Sequence, residues 1–304
     1  MNLLKKIKLF FAPKFTNFRS ILINLQKMKK NLFITIWVLF FSVNYAFAQI
    51  TISPTNIFIE ENTKFGTYLV INGSNEPQEV SVEFLFAYTA TDKTGKRSVV
   101  YDDSVRQQQH SADSWIRSFP KTFTLQPSKR QVVRLRVSPA ANLADGTYWA
   151  RVKTTSTAQT PPIELQEEGA VSAKVGYTIE QITGLYFKKG NVTTDIQVTS
   201  TRTELSEDKN TLAVISDLIR GGNSPFLGSI TANVMDRSGK IVASSFRSTT
   251  IYFSGTHRQE VDISELPSGS YTVEMTFESQ RSDVATQDIV SMAPEIVKTQ
   301  FIKN

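Results

Sequence analysis

The chain has 304 residues, a formal charge of +6 and no cysteine. The length suggests about two domains, and the missing thiols exclude disulfides, thiolate metal sites, a cysteine nucleophile and a lipid-bearing cysteine. The positive balance does not indicate a nucleic-acid binder. Eight of the 34 basic residues and no acidic one fall in residues 1–48, so 49–304 hold 26 basic against 28 acidic residues, a formal charge of −2.

The first segment reads as an export signal. Lys29 and Lys30 precede the apolar run "NLFITIWVLFFSV" (31–43), and "AFA" (46–48) places small residues where a signal peptidase cuts. The apolar run is shorter than the ~20 residues that span a bilayer. Cleavage is expected after Ala48, with the product in the periplasm or cell envelope and membrane contact only through the signal. Residues 1–27 are either an upstream extension or a long basic lead into the signal.

From Thr51 onward short alternating runs are separated by turns. "TNIFIEE", "GTYLVIN", "EVSVEFLFAYTATD", "RSVVYD", "KTFTLQ", "RQVVRLRV", "GTYWARVKTTS" and "AVSAKVGYTIEQITGLYF" are eight candidate strands between 55 and 187. In "RQVVRLRV" a period of two turns Val133, Leu135 and Val137 inward and Arg134 and Arg136 outward, where acidic neighbours across the sheet are the expected partners. Seven further runs follow Lys188, including a hairpin at "DRSGK" (236–240) and a loop at "ELPSGSY" (265–271). The fold class expected is all-β. After the signal (1–48) come two tandem immunoglobulin-like antiparallel β-sandwiches, 49–187 and 188–304, joined at "FKKGN" (187–191).

The ordered string "GTYLVINGSNEPQEVSVEF", "TFTLQPSKRQVVRLRV", "NLADGTYWARVKT" resembles the N-terminal domain of the periplasmic fimbrial (pilus) assembly chaperones. The residues carrying the resemblance are an N-x-S-x-x-P turn and Phe123, Leu125, Pro127, Gln131, Val133 and Arg134, followed by Asp145, Tyr148 and Trp149. It covers roughly 50–187. It implies two immunoglobulin-like domains, no cofactor, and a strand lent to partner subunits by β-addition. The strand so implied is 170–182, and the candidate partner-binding residues are Val171, Ala173, Val175, Tyr177 and Ile179 on one row, with Lys174 beside them. The same row also suits a strand facing its own core, and one row cannot do both. The family further implies a basic anchor for a terminal carboxylate, an arginine on the first strand and a lysine on the last. Here Asn56 stands near the arginine's place.

Catalytic constellations are sparse. His110 and His257 read as solvated loop histidines, and the acidic pairs Asp102–Asp103 and Glu167–Glu168 as loop charges. Trp149 and Trp115 read as core aromatics. The expected function is therefore non-catalytic, with no metal and no cofactor. It is a chaperone-like protein of the envelope whose partners are protein subunits of a surface or pilus-like assembly. The alternative is an envelope-associated or secreted adhesion or glycan-binding scaffold of two such domains.

Overall fold

The computed structural model describes residues 50–159 and 177–304. The first group of strands is β1 (Ile50–Ser53), β2 (Asn56–Glu60), β3 (Phe65–Asn72), β4 (Gln78–Leu85), β5 (Tyr88–Thr91) and β6 (Arg97–Val100). A seven-residue helix, α1 (Ser104–His110), precedes β7 (Ile116–Phe119), β8 (Thr122–Leu125), β9 (Arg130–Val137), β10 (Gly146–Ala158) and β11 (Thr178–Lys189). The rest is β12 (Thr194–Leu205), β13 (Thr211–Gly222), β14 (Phe226–Met235), β15 (Ile241–Ile251), β16 (Gly255–Asp262), β17 (Gly269–Glu278) and β18 (Glu295–Lys303). The expected all-β architecture is what forms, and Gln49–Asn304 is one compact unit.

Two sheets make the first sandwich, in the orders β1-β3-β9-β7 and β2-β11-β10-β4-β8. Between them lies a core of Val70, Val82, Val133, Leu135, Val152, Leu185 and Phe187, each fully buried. Two more sheets, β12-β13-β16 and β15-β14-β17-β18, enclose a second core around Leu212, Val214, Phe226, Ile230, Val234, Val273, Met275 and Phe277. The alternation of β9 produces its burial directly: Val133, Leu135 and Val137 are at most 1 % exposed, whereas Arg134 and Arg136 face water. The expectation of acidic partners for these arginines fails. Across the ladders Arg136 stands opposite Phe65 and Arg117, and Arg134 opposite Thr67 and Phe119.

Local chemistry explains the turns. Asp92 in "DKTGK" and Asp236 in "DRSGK" do the same work: each carboxylate accepts from the backbone two and four residues ahead, with Gly95 (φ 80°) and Gly239 (φ 84°) in the left-handed region. Asn72 of the N-x-S-x-x-P turn is fully buried and fully used. Its amide donates to the Glu76 and Leu125 carbonyls (2.9 Å each), and its oxygen accepts from Ser74 N. Tyr148 and Tyr271 each send their hydroxyl to the carbonyl four residues earlier, Ala144 (3.0 Å) and Pro267 (2.7 Å). This is the tyrosine corner of immunoglobulin-like sandwiches, and it occurs once in each half.

Candidate functional site: an open strand edge and the seam beside it

Strand β11 is longer than its neighbours allow. On one side it pairs with β10 along its whole length, Thr178 with Thr157 through Lys189 with Gly146. On the other side the parallel strand β2 covers only Gly184–Lys188. Among the described residues, Thr178–Thr183 therefore has one backbone edge without a ladder partner. A sheet normally covers, shortens or charges such an edge, because its unpaired N–H and C=O groups accept another strand.

The side chains along this stretch are unusual too. Tyr177, Ile179, Gln181 and Thr183 have the parity of Leu185 and Phe187, which lie in the core. They belong to the inner row, yet Tyr177 is 50 % exposed and Ile179 is half-buried. The row runs past the end of the covered core. Its last tie to the facing sheet is Gln181, whose amide donates to the Ile50 carbonyl (3.1 Å). Three side-chain oxygens here are short of partners: the Gln181 Oε1, Ser156 Oγ and Gln78 Oε1 atoms are buried without a hydrogen bond among the described residues. On the outer row Ile182 is 46 % exposed, and Lys153 bridges Glu83 (2.9 Å) and Glu180 (3.3 Å), which fixes the β4-β10-β11 face beside the edge.

Of the six expected partner-binding residues, Tyr177 and Ile179 lie at the start of this open stretch. Val171, Ala173, Lys174 and Val175 lie outside the described residues, as does the Glu167–Glu168 pair.

The lower half of β11 enters the seam between the two sandwiches. Phe86, Tyr88, Trp149, Tyr186, Leu227 and Tyr252 form a third buried cluster with members from both. The Tyr186 and Tyr252 hydroxyls meet at 2.8 Å, and burial drives the Tyr252 phenol well above its ordinary pKa. Trp149 is buried, as expected, but on the side of β10 away from the sandwich core. Trp115 packs against the first core.

Asn56, which the resemblance sets near the place of an anchor arginine, contacts Asp283 of the second sandwich (3.5 Å). The arginine nearby comes from that sandwich instead. Arg281 grips both oxygens of Asp283, and its third nitrogen reaches Thr250 Oγ1 (3.2 Å). Its pairing with Asp283 raises the Arg281 pKa and lowers that of Asp283. The guanidinium is thus committed to a carboxylate of its own chain. Sequence reading missed this pair, since the two residues sit in a loop of the second half with no motif around them.

The two histidines are placed differently from the expectation. His257 is in β16, 7 % exposed, with its Nε2 against the Gln259 Oε1 (3.0 Å); burial pushes its pKa down to about 4. Gln259 in turn donates to the Ile230 and Ser245 carbonyls, so its oxygen is left to accept from His257. His110 ends α1 and stacks on Trp149, with ring centroids 5.0 Å apart. Asp103, expected as a loop charge, caps α1 and accepts the Tyr88 hydroxyl (2.7 Å). Neither histidine is hydrogen-bonded to a carboxylate or to a serine among the described residues, which hold no cluster of metal-ligating side chains. No helix among them is long and apolar enough to cross a membrane.

Comparison with known proteins adds three findings. Residues 209–291 match a family model described as a secretion system C-terminal sorting domain. No curated protein matches the sequence. The similar solved structures are fimbrial and pilus chaperones. They include the complex of SafA pilin with the SafB chaperone from Salmonella enterica (13 % identity, 84 % of this chain and 98 % of that one, TM-score 0.38). A second is the E. coli chaperone DraB (14 %, 75 % and 91 %, 0.36). A third is the CsuC–CsuE chaperone–tip adhesion subunit pre-assembly complex of Acinetobacter baumannii (13 %, 83 % and 98 %, 0.39).

Proposed function

We propose that this protein is a non-catalytic, chaperone-like component of the cell envelope that binds subunits of a surface or pilus-like assembly by β-strand addition. The observation that carries the reading is the stretch Thr178–Thr183: a backbone edge without a ladder partner among the described residues, beside an inner row, Tyr177 and Ile179, that is partly uncovered. A partner strand laid along this edge gains main-chain hydrogen bonds, and its apolar side chains cover Tyr177 and Ile179. The row Val171, Ala173, Val175, with Lys174 beside it, continues the same surface in this proposal. The sequence resemblance to fimbrial chaperones in residues 50–187 supports it.

The test is co-elution of the purified protein with candidate subunits encoded beside it. A stable complex is expected, lost on Tyr177→Asp with Ile179→Asp while the melting temperature stays within a few degrees. If no neighbouring-gene subunit binds, or if the double variant unfolds the protein, the reading is wrong.

A second reading concerns the second sandwich alone. The match of residues 209–291 to a sorting-domain model favours a role in directing the chain through a secretion system. Fusing residues 188–304 to an exported reporter in the source organism tests it; a reporter that stays in the periplasm counts against sorting.

A further inference from the structure

Among the described residues, no carboxylate stands at an outward position of the β1-β3-β9-β7 strands, although Glu83 and Asp113 line a cleft with Arg117 and Phe119 at the β7 edge. The outward positions are Thr51 and Ser53 on β1, alternate residues of β3 and β9, and Arg117 and Phe119 on β7. Four arginines stand on this face: Arg117, Arg130, Arg134 and Arg136. The ladder registers arrange them in rows across the sheet. Phe65, Arg136 and Arg117 form one row, and Thr67, Arg134 and Phe119 the next. Neighbouring strands are about 4.8 Å apart and same-face residues about 7 Å apart along a strand, so the backbone positions of Arg117, Arg134 and Arg136 lie within roughly 10 Å of one another.

Such an arrangement is costly without a counter-charge. Arg117 and Arg136 are directly opposite each other, a cross-strand pairing that destabilises a sheet. Arg117 bends to the Ser114 and Ile116 carbonyls (3.1 and 2.9 Å), and none of the four makes an ion pair among the described residues. The remainder of 49–304 is not basic, since that span carries a formal charge of −2. The positive charge is therefore local. Two of the most exposed aromatic rings among the described residues, Phe65 and Phe119, each 60 % exposed, flank the charged rows at opposite corners, and Val132 (48 %) continues the apolar part.

We propose that this sheet face docks on a membrane surface bearing anionic phosphate headgroups. The guanidiniums sit at phosphate level, where each basic residue contributes about 1 kcal/mol, and the two phenyl rings enter the boundary with the acyl chains. Charge complementarity selects an anionic partner, and the paired exposed rings select a lipid surface over a soluble polyanion. The contact lies on the sheet opposite the one that carries β11, so it does not depend on strand addition. It adds a second membrane contact to the one expected of the signal.

The test uses residues 49–304, the unit that contains all three buried clusters, sedimented with vesicles of phosphatidylcholine containing about one-third phosphatidylglycerol. Binding is expected to these vesicles and not to pure phosphatidylcholine, and to weaken as salt rises. Arg134→Glu with Arg136→Glu should lower it roughly thirtyfold or more. Phe65→Ser with Phe119→Ser should lower it roughly tenfold at unchanged charge. Should the charge-reversed variant fail to fold, Arg130→Gln with Arg136→Gln and the salt dependence of the unaltered protein replace it. Equal binding to neutral vesicles, no binding, or binding indifferent to both pairs of substitutions overturns the proposal. So does retention by dextran sulfate in a protein that ignores the vesicles.

Discussion

The hydroxyls of Tyr186 and Tyr252, one from each sandwich, meet at 2.8 Å in a site closed to solvent. Neither ring has water to fall back on, so each hydroxyl is satisfied chiefly by the other. Tyr252→Phe removes one partner and leaves the Tyr186 hydroxyl buried, which should cost about 1–3 kcal/mol in urea unfolding. Replacing both tyrosines by Phe removes both polar groups. The double variant should therefore lose less than the sum of the singles, and a double-mutant cycle reads that difference directly.

Gly190 sits at the joint between the sandwiches with φ 59°. A Cβ there would lie 2.0 Å from the Asp145 Oδ1, while Asp145 Oδ2 accepts the Asn191 amide (3.0 Å). Asn223 ties the same corner, donating to the Asp145 and Asn191 carbonyls (3.1 and 2.9 Å). Gly190→Ala combines left-handed strain with the eviction of Asp145, and a loss of about 2 kcal/mol is expected. Thermal unfolding checks it, and an unchanged melting temperature would show that the corner gives way freely.

His257 makes stability depend on pH in a defined window. Its folded pKa is about 4, against an ordinary value of 6.5, because burial disfavours the imidazolium. Between these values the unfolded chain binds the proton and the folded chain does not. Stability from this group is complete above about pH 6.5, declines as pH falls toward 4, and is flat below. The loss across the window approaches about 3 kcal/mol. Urea titrations at several pH values should show this slope, and His257→Gln should flatten it.

Much of the fold was legible because period-two burial leaves a direct mark in sequence. Val133, Leu135 and Val137 point into the core as their alternation dictates, and the hairpin at Asp236–Lys240 closes as its glycine requires. Other features were less visible. The run from Glu79 to Asp92 is continuous in sequence yet breaks into β4 and β5, because Phe86 leaves the sandwich to join the seam cluster. A periodic pattern does not reveal which buried face belongs to which core: Trp149 is buried as expected, but in the seam cluster and not in the core of the first sandwich. The repeated L-x-x-G-x-Y spacing at Leu143–Tyr148 and Leu266–Tyr271 could have marked the tyrosine corner in each half. His257 escaped because a neutral imidazole facing a glutamine has no sequence signature. The open edge itself was only half legible: the apolar row was visible, but its lack of cover among the described residues depends on where β2 begins, at Asn56 opposite Gly184.

Amide hydrogen exchange across β11, with and without a candidate subunit, bears most directly on strand addition. The expected result is at least about tenfold slower exchange over Thr178–Thr183 in the complex, with Leu185–Lys188 unchanged because both of its edges are already paired. A complex that forms while Thr178–Thr183 exchanges as fast as in the free protein would contradict it.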